Sequence, residues 1–169
     1  MMKQTKKISR RVFVSKSASA ITGITILPSY LALGKADALG NLPPSQRINL
    51  GCLGVGGRGK KVIPQLCSDG AAKPVAFCDV DFNRAGKEVM DAFPGARKFA
   101  DFRVMLDQMG DDIDAVSVVT PDHVHFVQTI EAMRRGKHVY VEKPLTHSFR
   151  EASLLIQAEK RYGVVTQMG

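Results

Sequence analysis

From residue 48 onward, short continuous apolar runs alternate with longer stretches in which apolar residues recur every three or four positions. The runs read as strands buried on both faces, and the spaced stretches as amphipathic helices. Residues 48–53 predict a first strand, and Val62, Ile63 and Leu66 mark the inner side of a first helix. Residues 74–78 predict a second strand. A helix over 81–92 follows, with Val89, Met90 and Phe93 apolar and Pro94-Gly95 as its stop. A short extended piece at 98–100 leads into a helix through Met105, Leu106 and Met109, ended by Gly110. Residues 114–119 predict a buried strand. Thr120 is placed to cap the next helix and Pro121 to take its first position, where a missing N–H costs nothing. Gly136 closes that helix, and 138–141 predict another strand. Ser148-x-x-Glu151 reads as a capping box for a helix to Arg161, closed by Gly163, and 164–167 open a last strand. Strand and helix alternating in this way predict an α/β fold with a doubly wound parallel sheet. Pro64 is the misfit. Inside a helix it removes a hydrogen bond, so a late helix start or a kink is expected there.

The first strand runs into Gly54-x-Gly56-x-x-Gly59, and the first helix follows. In that context the glycines have separate tasks. Gly54 permits a tight turn, Gly56 lets a pyrophosphate approach the backbone, and Gly59 lets the helix lie close on the strand. The amides at the helix start then face phosphate charge. The second strand ends at Asp79, which is 20 residues after Gly59. An acid there is placed to accept hydrogen bonds from the adenosine ribose. Strand, turn, helix, strand and acid in this order predict dinucleotide binding.

Two more clusters fall just beyond the carboxyl ends of predicted strands, where such sheets carry chemistry. One is Thr120-Pro121-Asp122-His123-Val124-His125, the other Glu142-Lys143-Pro144. A lysine on that rim can polarise a carbonyl or carry a proton. Glu142 beside it is placed to bond a ribose and hold the turn, and the bond before Pro144 is a candidate for cis geometry. His123 and His125, two apart, do not share a helix face, so no metal pair is expected.

The amino-terminal stretch has a different character. Residues 1–16 carry Lys3, Lys6, Lys7, Arg10, Arg11 and Lys16 and no acid, and 17–34 carry no charge. Ala36-Asp37-Ala38 has the small-x-small form of a cleavage site. This is the layout of a secretory signal over residues 1–38. Ser9-Arg10-Arg11-Val12-Phe13-Val14 resembles the twin-arginine motif, which implies the twin-arginine export machinery as a partner and a periplasmic location. An uncleaved membrane anchor is the alternative, since eighteen uncharged residues just suffice to span. Residues 39–46, with Pro43-Pro44, read as a linker, and 47–169 as the folded domain. The signal also explains the charge. Of the net +8, residues 1–38 hold seven Lys or Arg and one Asp, leaving 17 basic and 15 acidic residues beyond them. That near-balance gives no argument for nucleic-acid binding. Cys52, Cys67 and Cys78 are odd in number, lack metal spacing and read as buried core residues.

Gly-Val-Gly-Gly-Arg-Gly, Cys-Asp-Val-Asp, Thr-Pro-Asp-His-Val-His and Glu-Lys-Pro, in this order and spacing, resemble the Gfo/Idh/MocA oxidoreductase family over residues 47–169. The resemblance implies a Rossmann-type NAD(P)-binding domain. Gly54, Gly56, Gly57, Arg58 and Gly59 would hold the pyrophosphate. Asp79 would hold the adenosine ribose and favour NAD over NADP, with Arg58 and Arg84 able to soften that choice. Thr120, Pro121 and His125 would line the cofactor cleft. Glu142 would sit at the nicotinamide end, and Lys143 would be the one catalytic residue this domain supplies. The resemblance further implies a second α+β domain that this chain does not contain. With it would come the partner acid/base, the substrate contacts and a homo-oligomer contact, so the chain alone is expected to be inactive.

Three functions remain open on these residues. The first is an NAD(P)-dependent oxidoreductase acting on a sugar or polyol. The second is an NAD-dependent glycoside hydrolase resembling glycoside hydrolase family 109. An exported enzyme has no evident pool of free NAD, so a trapped cofactor and a redox-neutral cycle fit both export and this second function. The third is a non-catalytic nucleotide-binding fragment.

Overall fold

The computed structural model describes residues 46–84 and 86–169. The expected signal, its cleavage site and nearly all of the linker lie outside the described residues. Six strands form one sheet: β1 (Ile48–Leu53), β2 (Ala72–Cys78), β3 (Arg97–Phe99), β4 (Ala115–Val118), β5 (His138–Val141) and β6 (Thr166–Met168). Their order is β3-β2-β1-β4-β5-β6 and every neighbouring pair is parallel. The chain therefore winds outward from β1 in one direction and then from β4 in the other. Between those two strands the crossovers reverse direction, which opens a crevice at their carboxyl ends.

Five α-helices cross between the strands: α1 (Gly59–Leu66), α2 (Lys87–Ala92), α3 (Phe102–Met109), α4 (His125–Arg134) and α5 (Phe149–Tyr162). Side chains alternate between faces along each strand. Leu50, Cys52 and Phe77 accordingly pack with Ile63 of α1 and with Val89 and Met90 of α2. Leu53, Val116, Val118 and Val141 pack on the other face with Met105 of α3, Met133 of α4 and Leu155 of α5. The sheet is thus covered on both faces where the glycine turn emerges, as a doubly wound α/β fold requires. No helix among the described residues is long and apolar enough to cross a membrane.

Several expected boundaries move, each for a local reason. The helix expected over 81–92 begins only at Lys87. Asp81 Oδ1 instead accepts the N–H groups of Asn83 and Arg84 in a turn. Thr120 does not cap a helix and Pro121 does not begin one. Pro121 keeps ψ at 142°, a 3₁₀ turn covers Asp122–Val124, and α4 starts at His125. Pro64 does not delay α1, which starts at Gly59 and ends two residues past the proline. Pro74 lies inside β2, where its missing N–H coincides with a register shift between Leu50 and Gly51 of β1. The third strand runs one residue earlier than expected, and the sixth begins two residues later and ends one later. The capping box of α5 closes differently as well. Ser148 Oγ accepts from Glu151 N–H, but the Glu151 carboxylate reaches the N–H of His147.

Candidate functional site

The site begins where β1, β2 and β4 converge. Gly54 N–H donates to the Cys78 carbonyl at 2.9 Å, and Val119 N–H to the Leu53 carbonyl at 2.8 Å. Gly54 has φ +79°, and a Cβ on it would lie 2.5 Å from the Val119 carbonyl oxygen. No larger residue fits there without parting β1 from β4. A Cβ on Gly59 would overlap the Gly54 carbonyl oxygen, so α1 springs directly from the turn. No side chain caps α1, and its first turn holds no acid. The positive end of the helix is therefore left for an anion from elsewhere.

Asp79 braces this turn. Its Oδ2 accepts from Val55 N–H at 2.9 Å and Gly56 N–H at 3.3 Å, and its Oδ1 from Asp81 N–H at 3.1 Å. The carboxylate is held in place half-buried, and Oδ1, which accepts a single N–H, keeps a lone pair for a hydroxyl.

A cleft of about 870 Å³ opens over the turn. Gly54, Gly56, Gly57 and Arg58 form its floor, Asp79 and Val80 one end, Asp101 to Arg103 the neighbouring rim, and Thr120, Pro121 and His123 the far wall. Val80 is 92% exposed, a bare apolar surface beside the acid. A second pocket of about 550 Å³ is lined by Asp122, His125, Glu142, Lys143 and Pro144 and shares Arg58, Val119 and Thr120 with the first. The shared residues make the two spaces consecutive along the rim. The volume of the first lies in the range that ligand sites occupy. Its glycine floor, uncapped helix start and braced acid fit a dinucleotide.

At the second pocket Glu142 is 6% exposed. Its Oε1 accepts from Arg58 Nε at 3.2 Å and from the Tyr140 hydroxyl at 3.0 Å. Burial, and then the bond to Glu142, push the Tyr140 hydroxyl above its usual range. Glu142 is thus a strut between the glycine turn and the end of β5, and its bonded oxygen is already occupied. Lys143 is exposed, beside a cis Lys143–Pro144 bond.

His125 lines the smaller pocket and not the large one, and it is 2% exposed. Its Nδ1 lies 2.8 Å from the Pro144 carbonyl and its Nε2 2.7 Å from the Thr120 carbonyl, so the ring sits between the two rim loops and a nitrogen that carries a proton donates to the carbonyl it faces. Thr120 turns its hydroxyl to Gln128 Oε1 at 2.6 Å. Gly54, Gly56, Gly57, Arg58, Asp79, Thr120 and Pro121 meet at the large cleft, and Arg58, Thr120, His125, Glu142 and Lys143 at the smaller pocket, while Gly59 lines neither. Arg84 lines neither. Sequence reasoning missed Tyr140, Gln128, Asp101 and Arg103. Tyr140 was within reach of a simple argument, since it stands two residues before Glu142 and strand neighbours two apart share a face. Among the described residues, no group of three or more His, Cys, Asp or Glu side chains could hold a metal ion.

Known proteins share this arrangement. The chain is 30% identical to a glycosyl hydrolase family 109 protein of Saccharopolyspora erythraea, over 94% of this chain and 38% of that protein. A dehydrogenase from Chromobacterium violaceum superposes with a TM-score of 0.67 at 31% identity, covering 73% of this chain and 36% of its own. The WlbA dehydrogenase of Bordetella pertussis, solved with NADH and UDP-GlcNAcA, superposes with a TM-score of 0.65 at 30% identity, over 73% of this chain and 37% of its own. The chain spans less than two-fifths of the length of each of these proteins. The model of the Gfo/Idh/MocA oxidoreductases, described as an oxidoreductase family with an NAD-binding Rossmann fold, matches residues 48–169. With the glycine turn, the braced acid and the six parallel strands in place, this chain belongs to that family as its NAD-binding domain.

Proposed function

We propose that this chain is the nucleotide-binding part of an NAD-dependent oxidoreductase acting on a sugar or polyol. The observation that carries this reading is the continuity of the two pockets through Arg58 and Thr120. It supports a cofactor lying with its adenosine near Asp79 and its reactive end toward Lys143. Bound NAD would supply hydride transfer. The glycine turn and the start of α1 would hold its pyrophosphate, and Asp79 would accept from its adenosine ribose hydroxyls. Thr120 and Pro121 would wall the middle of the cleft. Lys143, exposed at the rim, would bond the substrate oxygen and accept the hydroxyl proton released as the adjacent carbon is oxidised. His125 and Glu142 would act by holding the loops that carry Thr120 and Lys143.

The likeness to a glycosyl hydrolase family 109 protein over 94% of the chain favours a second reading. In it the same hydride is taken from a sugar and returned to it around an elimination, with no net change in cofactor. The basic and then uncharged stretch at 1–34 supports export for either reading, by the twin-arginine route or with the signal kept as an anchor.

The test uses a protein that contains this chain together with the sequence its longer relatives carry beyond it. Sugar-dependent NADH formation that Lys143→Ala abolishes, with NAD binding retained, supports the oxidoreductase. Aglycone release with no accumulated NADH supports the hydrolase. Full activity in Lys143→Ala would remove both.

A further inference from the structure

The large cleft holds a charge pair that the cofactor reading does not use. Asp79 N–H donates to the Phe99 carbonyl at 3.1 Å, so the segment after β3 leaves the sheet alongside Asp79. That segment brings Asp101 and Arg103 to the lining of the same cleft. The two are locked together. Arg103 Nε donates to Asp101 Oδ1 at 3.0 Å and Nη2 to Oδ2 at 2.7 Å, a forked pairing. Asp101 is also the cap of α3, accepting Arg103 N–H at 2.9 Å.

We infer that Asp101 and Arg103 form a second coenzyme-selecting element, in which Asp101 joins Asp79 against a ribose 2′-phosphate and withholds the Arg103 guanidinium from it. The inference rests on the assignment of the cleft to NAD and goes beyond it. A guanidinium fork fits a carboxylate or a phosphate, one at a time. At the adenosine end of such clefts an arginine is the group that accommodates a 2′-phosphate. The other arginine of the cleft, Arg58, is bonded to Glu142. Both guanidinium groups lining the cleft are therefore spoken for, and Asp79 and Asp101 put two carboxylates beside the adenosine position.

The pair is exposed, with Arg103 at 67%, and exposed pairs are individually weak. A phosphate could outbid it if Asp101 could turn away. The cap bond prevents that, because it fixes the carboxylate to the first turn of α3. Arg103 holds this carboxyl below its usual range, through the side-chain bond first and then the backbone bond. With Asp101 present the element is neutral. Without it, a free cation stands at the same place.

The experiment compares NADH and NADPH binding to the 169-residue chain by nicotinamide fluorescence at low salt, in wild type, Asp101→Asn, Arg103→Ala and the double variant. Asparagine keeps the capping oxygen, so α3 is retained, and circular dichroism checks this. Asp101→Asn is expected to tighten NADPH about tenfold and NADH less than about twofold, with the gain falling as salt rises. Arg103→Ala in that background is expected to abolish the gain. Equal changes for both coenzymes, or no gain for NADPH, overturn the inference while leaving the NAD site intact. Failure of the wild-type chain to bind NADH at all overturns the cofactor assignment and the inference with it.

Discussion

Arg58 Nε lies 3.2 Å from Glu142 Oε1, a bond across 84 residues that ties the glycine turn to the strand end preceding Lys143. The two partners differ in setting: the Arg58 side chain is 61% exposed and that of Glu142 8%. Water therefore reaches one side of the pair, which limits its worth, while the carboxylate depends on its donors. A double-mutant cycle with Arg58→Ala and Glu142→Gln is expected to give a coupling of about 1 kcal/mol in urea denaturation. Arg58→Ala alone is expected to destabilise more than the double variant, because it leaves a nearly buried charge with only the Tyr140 hydroxyl.

The glycine turn gives a contrast between neighbouring positions. Gly54→Ala would drive a methyl group into the Val119 carbonyl at a positive φ, whereas Gly57, at φ +44°, has nothing within 4 Å of its added Cβ. Gly57→Ala should cost about 1–2 kcal/mol, the penalty of left-handed backbone alone. Gly54→Ala should cost more than that or prevent folding. Thermal unfolding of the two variants side by side reads the difference.

His125→Phe keeps the bulk of the ring and removes both nitrogens. The carbonyl that accepts from the ring, of Thr120 or of Pro144, then loses its donor beside a residue that is 2% exposed. A loss of about 1–3 kcal/mol in unfolding free energy is expected, from one unsatisfied acceptor. The rim loops should also loosen, read as faster amide exchange at His123 and Lys143.

The cysteines make stability fall at high pH. Burial pushes the thiols of Cys52 and Cys78 up to about 12 and that of Cys67 to about 11, from an ordinary value of 9.0. Between pH 9 and 12 the unfolded chain therefore loses thiol protons that the folded chain keeps. The folded state binds more protons there, so its stability is complete below pH 9 and declines as pH rises toward 12. Replacing Cys52 by Ala is expected to flatten that decline. Cys67, half-buried at the end of α1, should react with a thiol reagent before Cys52, which is fully buried.

Much of this was legible in the chain. The inner strands were visible because strands covered on both faces read as apolar runs, whereas the edge strands Arg97–Phe99 and Thr166–Met168 carry no such run and their bounds shifted; Gly54 and Gly59 were visible because only glycine survives where two backbones touch. Where expectation failed, a side chain had taken an unforeseen partner. Asp81 bonded back to Asn83 and Arg84, and Thr120 found Gln128 rather than a helix amide. These choices depend on groups brought close only by the folded sheet. Pattern along the chain placed the residues on the rim but did not say which of them face the cleft and which brace it.

The central claim, that the glycine turn holds a dinucleotide, is tested most directly by titrating NADH into the chain and into Gly56→Val. Gly56 lines the cleft and has no positive φ, so a side chain there meets no left-handed backbone penalty. One saturable site in the wild type, lost in a folded Gly56→Val variant, is the predicted result. Unchanged binding in that variant, or no binding in the wild type, would contradict it.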